Sequence, residues 1–215
     1  MKTANFVKKL LGMGYTWILD NGHGKLTAGK RSPVLPDGRQ FFEYEFNRAI
    51  VERLMVLLKA EGIRYVDLVP DYNDVGNFVM GRIARANKVP LPNRCIYLSI
   101  HADAAPSNLL NEEGWGDPNG STVYYSGNST LKYAKAFSDT LATIFRSRGV
   151  KVRINEKGEQ YYAVIRETKM PALILELGFY TNLEEVQKLL DDNFRDQIAQ
   201  VLFNAIKKLD NARVG

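Results

Sequence analysis

Cysteine and histidine are scarce in this chain: its 215 residues include one of the first and two of the second. The lone Cys95 cannot close an internal disulfide, so cysteine gives no sign of an oxidising compartment and no cysteine-rich zinc site can form. No uninterrupted apolar stretch approaches the roughly 18 residues of a membrane span. Pro/Gly/Ser linkers, blocks of like charge and internal repeats are missing too, and nothing marks a place to divide the chain. It therefore reads as one catalytic-size domain over residues 1–215. The N-terminal "MKTANFVKKLLGMGYTWIL" puts lysines ahead of apolar residues, as a signal peptide does. It lacks a long apolar centre, and cleavage near its end would cut into a strand. The expectation is a chain that stays cytoplasmic until released, or exported by another route.

Enough apolar material is present for a core. Hydrophobic residues make up 45% and charged residues 25%, with a mean hydropathy of −0.25, which excludes wholesale disorder. A net charge of +5 asks whether the partner is anionic. The lysines and arginines are scattered instead of forming a stripe with interleaved aromatics, so no nucleic-acid partner is expected. Attraction to an anionic surface, a cell wall included, is as much as the charge supports.

Short runs rich in β-branched and aromatic residues predict strands at 15–20 (YTWILD), 63–69 (IRYVDLV), 95–100 (CIYLSI), 121–126 (STVYYS) and 172–177 (ALILEL). Three of these are almost continuously apolar, as strands covered on both faces are. Helical spacing runs between them. Ile50, Leu54, Leu57 and Leu58 share one face, with Gly62 as a stop; Leu131, Ala134, Phe137 and Leu141 mark a second helix, capped by Asn128 or Ser129. Ile198, Val201, Leu202, Ala205, Ile206 and Leu209 give a long third. The wet stretch 106–121 reads as a surface loop, with strands on either side. Alternating strands and helices predict an α/β fold: a twisted, mostly parallel sheet flanked by helices on both faces. In such sheets ligands collect beyond the carboxyl ends of the strands.

Polar groups stand at three of those ends. "WILDNGHG" ends in His23, "CIYLSIHAD" in His101, and "PALILELGF" carries Glu176. A histidine in a turn often only caps or fills space, yet both histidines of the protein fall at the same edge. Neutral imidazole is the commonest zinc ligand, and a catalytic zinc takes three protein ligands. The third is sought in Glu43 and Glu45, which also suit a helix start through its dipole alone. The two lie about 200° apart around a helix, and Glu43 falls on the side of the inward-facing Ile50. Glu176 in an apolar strand calls for an ion pair, for which Arg166 is the candidate, or for a general base tuned by its surroundings.

Taken in order, "LDNGHGK", "EYEFNRAIV", "RIARAN", "LSIHAD" and "MPALILELGFYTN" resemble the motifs of the zinc-dependent N-acetylmuramoyl-L-alanine amidases of the amidase-3 type. The resemblance runs from about Trp17 to Leu209. It implies zinc held by His23, Glu43 and His101, with Glu176 catalytic; Glu43 is selected because Asn47 follows four residues on. The implied substrate is the amide between N-acetylmuramic acid and L-alanine in peptidoglycan. Glycines 22 and 24 would let the backbone pass close to the metal. Lys25 stands where many members have a second glycine, and "EYE" offers two carboxylates where the pattern needs one. The loop 106–120 is not fixed by the motifs and is a place for substrate preference. A monomer is expected. The rival readings are another zinc peptidase or deacetylase, or a non-catalytic wall-binding module; an endolysin, a host autolysin and a recycling enzyme fit the amidase reading equally.

Overall fold

The computed structural model describes residues 14–70 and 78–214, so the first thirteen residues of the signal-like segment lie outside the described residues. In chain order the elements are β1 (Thr16–Asn21), α1 (Glu43–Glu61), β2 (Arg64–Asp67), α2 (Phe78–Ala86), β3 (Cys95–Asp103), β4 (Ser121–Tyr125), α3 (Asn128–Leu141), β5 (Ser147–Lys151), α4 (Ala163–Glu167), β6 (Ala172–Phe179), α5 (Leu183–Leu189) and α6 (Asp192–Val214). The strands form one sheet in the order β2-β1-β3-β6-β4-β5, parallel throughout except where β4 runs antiparallel to β6.

The two-residue period of the strands sorts their side chains onto two faces. Trp17 and Leu19 of β1, Ile96, Leu98 and Ile100 of β3, and Leu173, Leu175 and Leu177 of β6 face the larger core. Helices α1, α3 and α6 cover it with Ile50, Leu54 and Leu58, with Phe137 and Leu141, and with Ile198, Leu202 and Ile206. The alternate residues Ile18, Cys95, Tyr97, Ala172 and Ile174 face a smaller core, closed by Ile83 and Ala86 of α2 and Val164 and Ile165 of α4. Both faces are thus buried, as the near-continuous apolar runs predicted. No helix among the described residues is long and apolar enough to cross a membrane.

Local details follow the sequence closely in some places and depart from it in others. Gly62 closes α1 in the left-handed conformation at φ 74°, its N–H reaching the carbonyls of Leu58 and Lys59, as a glycine stop should. The cap of α3 differs from the expectation of Asn128 or Ser129. Gly127 precedes the helix, and the Thr130 hydroxyl accepts from its N–H, so Asn128 is already the first helical residue. Strand β5 was not predicted: "SRGVK" has a glycine and three polar residues, which an edge strand tolerates because one side faces solvent.

The larger core depends on its aromatics. Phe137 is fully buried and meets Trp17 edge-to-face at 5.9 Å between ring centroids. Phe137→Ala is expected to cost about 3–5 kcal/mol of folding free energy, through lost transfer energy and the cavity left behind, as measured by denaturant unfolding.

Candidate active site

The carboxyl edge of the sheet is where β1, β3 and β6 lose their apolar character. Asp20, Tyr97, Ser99, His101 and Glu176 all continue the face of the smaller core, because they stand an even number of residues from Ile18, Cys95 and Ile174. Helices α2 and α4 pack on the apolar part of that face through Ile83, Ala86, Val164 and Ile165. The polar residues above it are brought together by register: Asp20 is the cross-strand partner of Ser99, and His101 of Glu176.

His23 sits just beyond β1, at φ 62°, a left-handed conformation uncommon for a non-glycine residue. Three contacts hold it there. Gly22 extends the ladder by one bond, its N–H donating to the Ile100 carbonyl at 3.0 Å. Asn47 of α1, fully buried, donates to the Gly22 carbonyl at 2.8 Å, and Arg82 of α2 donates to the His23 carbonyl at 2.8 Å. Gly22 has no alternative, since a Cβ there would lie 2.1 Å from the His101 ring.

The structure brings His23, Glu43 and His101 together, with one ligand-type atom of each within 4.8 Å of the others. Glu43 Oε1 lies 3.0 Å from His101 Nδ1 and 3.3 Å from His23 Nε2, and it also accepts from the Ala102 N–H at 3.3 Å. The two imidazoles meet edge-to-face, 4.8 Å between centroids. Glu43 is 1% exposed and begins α1, whereas Glu45 is exposed and accepts from the Tyr44 hydroxyl. The helix thus turns one acid to the histidines and the other to solvent, the separation its period requires.

These residues fit a divalent cation. Two imidazoles and a carboxylate are an established donor set for catalytic zinc. Glu43 Oε2 is buried without a hydrogen-bond partner, which leaves a carboxylate oxygen unused inside the protein.

Glu176 completes the cluster one strand away. Its Oε2 is likewise buried without a hydrogen-bond partner, and Arg166 is turned elsewhere, paired with Glu167 at 2.7 Å. The two glutamates therefore titrate in opposite directions. Burial pushes the Glu176 carboxyl up to about 8, with the charges of Asp103 and Glu43 adding to it and His101 opposing. Burial also works against the Glu43 carboxylate, but its hydrogen bonds to His101 and His23 outweigh that and hold it well below the usual carboxylate range. His23 is pushed down by burial, while in His101 the bond to Glu43 and the nearby acids overcome burial and raise it.

Beneath the cluster lies a network that the sequence reading passed over. The buried Asp20 carboxylate is ion-paired with Arg82 and accepts from Tyr97 Oη at 2.7 Å and Ser99 Oγ at 2.5 Å. Ser99 in turn meets His101 Nε2 at 3.1 Å. The signal was an acid at the end of an apolar strand, the same signal that singled out Glu176.

A family model for N-acetylmuramoyl-L-alanine amidase, type 3, matches residues 18–208. The chain is 29% identical over 207 residues to N-acetylmuramoyl-L-alanine amidase LytC of Bacillus subtilis, covering 94% of itself and 36% of LytC. With the probable cell wall amidase LytH of Staphylococcus aureus it shares 28% identity over 200 residues, 90% of this chain and 58% of that one. It thus spans about a third and somewhat over half of these two curated relatives. A crystal structure of an N-acetylmuramoyl-L-alanine amidase from Clostridium difficile 630 superposes with a TM-score of 0.72 at 25% identity, over 91% of this chain and 96% of the other. By the extent of the family match and the likeness of fold, the chain belongs to the amidase-3 family of N-acetylmuramoyl-L-alanine amidases.

Proposed function

We propose that the chain is a zinc-dependent hydrolase that cleaves the amide between N-acetylmuramic acid and L-alanine in peptidoglycan, its residues serving as one catalytic domain. The observation that carries this reading is the convergence of His23, Glu43 and His101 beside Glu176, whose Oε2 is buried without a hydrogen-bond partner, in a chain of this family. His23, Glu43 and His101 would hold the zinc ion, which when bound supplies a Lewis acid that polarises the amide carbonyl and acidifies a water.

Glu176 is the general base and acid. Its carboxylate takes a proton from the attacking water and returns it to the departing alanine nitrogen, a transfer needed because an amide anion is a very poor leaving group. A carboxyl whose pKa is raised by burial is better matched to both halves of that task than an ordinary one. Gly22 and the left-handed turn at His23 keep the backbone low beside the ring of His101, which leaves the edge open to substrate. Acting on peptidoglycan requires that the chain reach the wall, by export or by release as an endolysin is released; loss of turbidity in wall suspensions reads such bacteriolytic activity.

Product analysis on purified walls is the direct test: a new L-alanine amino terminus and no new reducing sugar are expected. A different new terminus would move the reading to a zinc peptidase, and free acetate to a deacetylase. One zinc per chain is expected by elemental analysis, with activity lost to a strong chelator and restored by zinc. Glu43→Ala is expected to lower zinc affinity steeply and abolish turnover, whereas Glu45→Ala keeps zinc and most activity; zinc titration of the two variants checks it.

Glu176→Gln is expected to keep zinc and fold and to lose about 10²-fold or more in turnover. The same variant reports on pH. Unfolded, Glu176 gives up its proton near the ordinary value of 4.5; folded, it holds the proton to about 8. The native state therefore binds more protons between those values, and ionisation there opposes folding. In metal-free protein, Glu176→Gln is expected to gain stability relative to the wild type as pH rises from 5 to 8.5. Urea midpoints across that range measure it, and parallel curves would show that the carboxyl is not held protonated.

A further inference from the structure

The contact between Ser99 and His101 has a direction, and that direction can be worked out from the groups below it. Asp20 is 1% exposed and ion-paired with Arg82, whose guanidinium also donates to the carbonyls of Asn21 and His23. An ionised carboxylate only accepts, so the hydroxyls of Tyr97 and Ser99 must both donate to its Oδ2. A serine has one hydroxyl hydrogen. With that hydrogen committed to Asp20, Ser99 Oγ can offer only a lone pair to His101 Nε2, 3.1 Å away. Nε2 must therefore carry a hydrogen. In the neutral ring that is the single N–H, so the lone pair lies on Nδ1, the atom that faces Glu43 Oε1 at 3.0 Å.

We infer that Ser99, aligned by Asp20, is a positioning residue that fixes the tautomer of His101 and so presents Nδ1, rather than Nε2, as the donor to the metal site. This rests on the reading of His101 as a zinc ligand given above. Its consequence is local: with the Nε2 hydrogen held by Ser99, the lone pair of the neutral ring is at Nδ1, beside Glu43 Oε1, and the proton that the metal-free ring shares with Glu43 there is the one a cation has to displace. Partners of this kind behind a ligating imidazole typically change metal affinity by about 10- to 100-fold.

The protein has two histidines, so the imidazole nitrogens of the full chain can be read one by one. In the zinc-loaded, 15N-histidine-labelled protein, long-range proton–nitrogen spectra are expected to show His101 with hydrogen on Nε2 and metal on Nδ1. Hydrogen on Nδ1 would overturn the inference without any variant being made. Ser99→Ala is expected to bind zinc about 10- to 100-fold more weakly and, metal-free at a pH where the ring is neutral, to show His101 as a mixture of tautomers. Unchanged affinity and an unchanged tautomer in a folded variant would overturn it as well. Should the wild type take up no zinc, the zinc hydrolase reading falls, while the Nε2–H tautomer of the metal-free chain still decides the inference.

Discussion

A charge placed in the middle of an apolar sheet has to be met inside the protein, and the way Asp20 is met organises everything above it. Its carboxylate collects Arg82 from α2 and the hydroxyls of Tyr97 and Ser99 from β3. Removing one member of such a buried pair typically costs about 3–5 kcal/mol, because the other is left uncompensated. The pair therefore fixes where α2 can sit relative to β1 and β3. Arg82 also donates to the backbone carbonyls of Asn21 and His23, so the constraint reaches the turn that carries the first histidine. From the other side of the sheet, Asn47 of α1 holds the carbonyl of Gly22. The turn is clamped between a helix on each face of the sheet, and its left-handed backbone is supported by both.

The same chain supplies two glutamates with contrary surroundings. Glu43 is surrounded by donors, and its charge is favoured despite burial. Glu176 has burial without donors to its Oε2, and its charge is disfavoured. One sheet edge thus offers an acceptor that stays ionised beside a group able to hold or release a proton near neutral pH, the separation of roles that acid–base chemistry at one centre requires.

Much of this was legible in the sequence, for identifiable reasons. The five predicted strands and three long helices form because apolar periodicity reports burial directly. His23, His101 and Glu176 stood out because each is rare or costly where it stands. Glu43 was separable from Glu45 because helix phase, counted back from Ile50, distinguishes residues two positions apart. The rest was hidden for equally physical reasons. Ser99 and Tyr97 are unremarkable in a strand, and only their register with Asp20 gives them a task. Strand β5 has no apolar period because it lies at an edge. The glycine at 127 precedes α3 without a side chain to announce a cap; the hydroxyl three residues on makes the bond instead.

The reversed strand β4 has a further effect. β3 reaches the carboxyl edge at Asp103, and β4, antiparallel to β6, begins at that edge, with Ser121 opposite Leu177. The segment between them consequently leaves and re-enters the sheet on one side and never crosses it. Its ends are tied to the stretch after β6: at the first, Ala105 N–H to Thr181 Oγ1 at 2.9 Å; at the second, Gly116 N–H to the Thr181 carbonyl at 2.9 Å, Asn182 to the carbonyls of Gly116 and Asp117, and Gly120 N–H to Glu185 at 2.8 Å. A loop held in this way can lengthen or shorten at an entropic cost that grows only logarithmically, about 0.6 kcal/mol for each doubling. No helix has to be re-threaded and no strand shifted in register. The segment beside the carboxyl edge can therefore be remodelled over evolutionary time while the residues of the edge itself stay where they are.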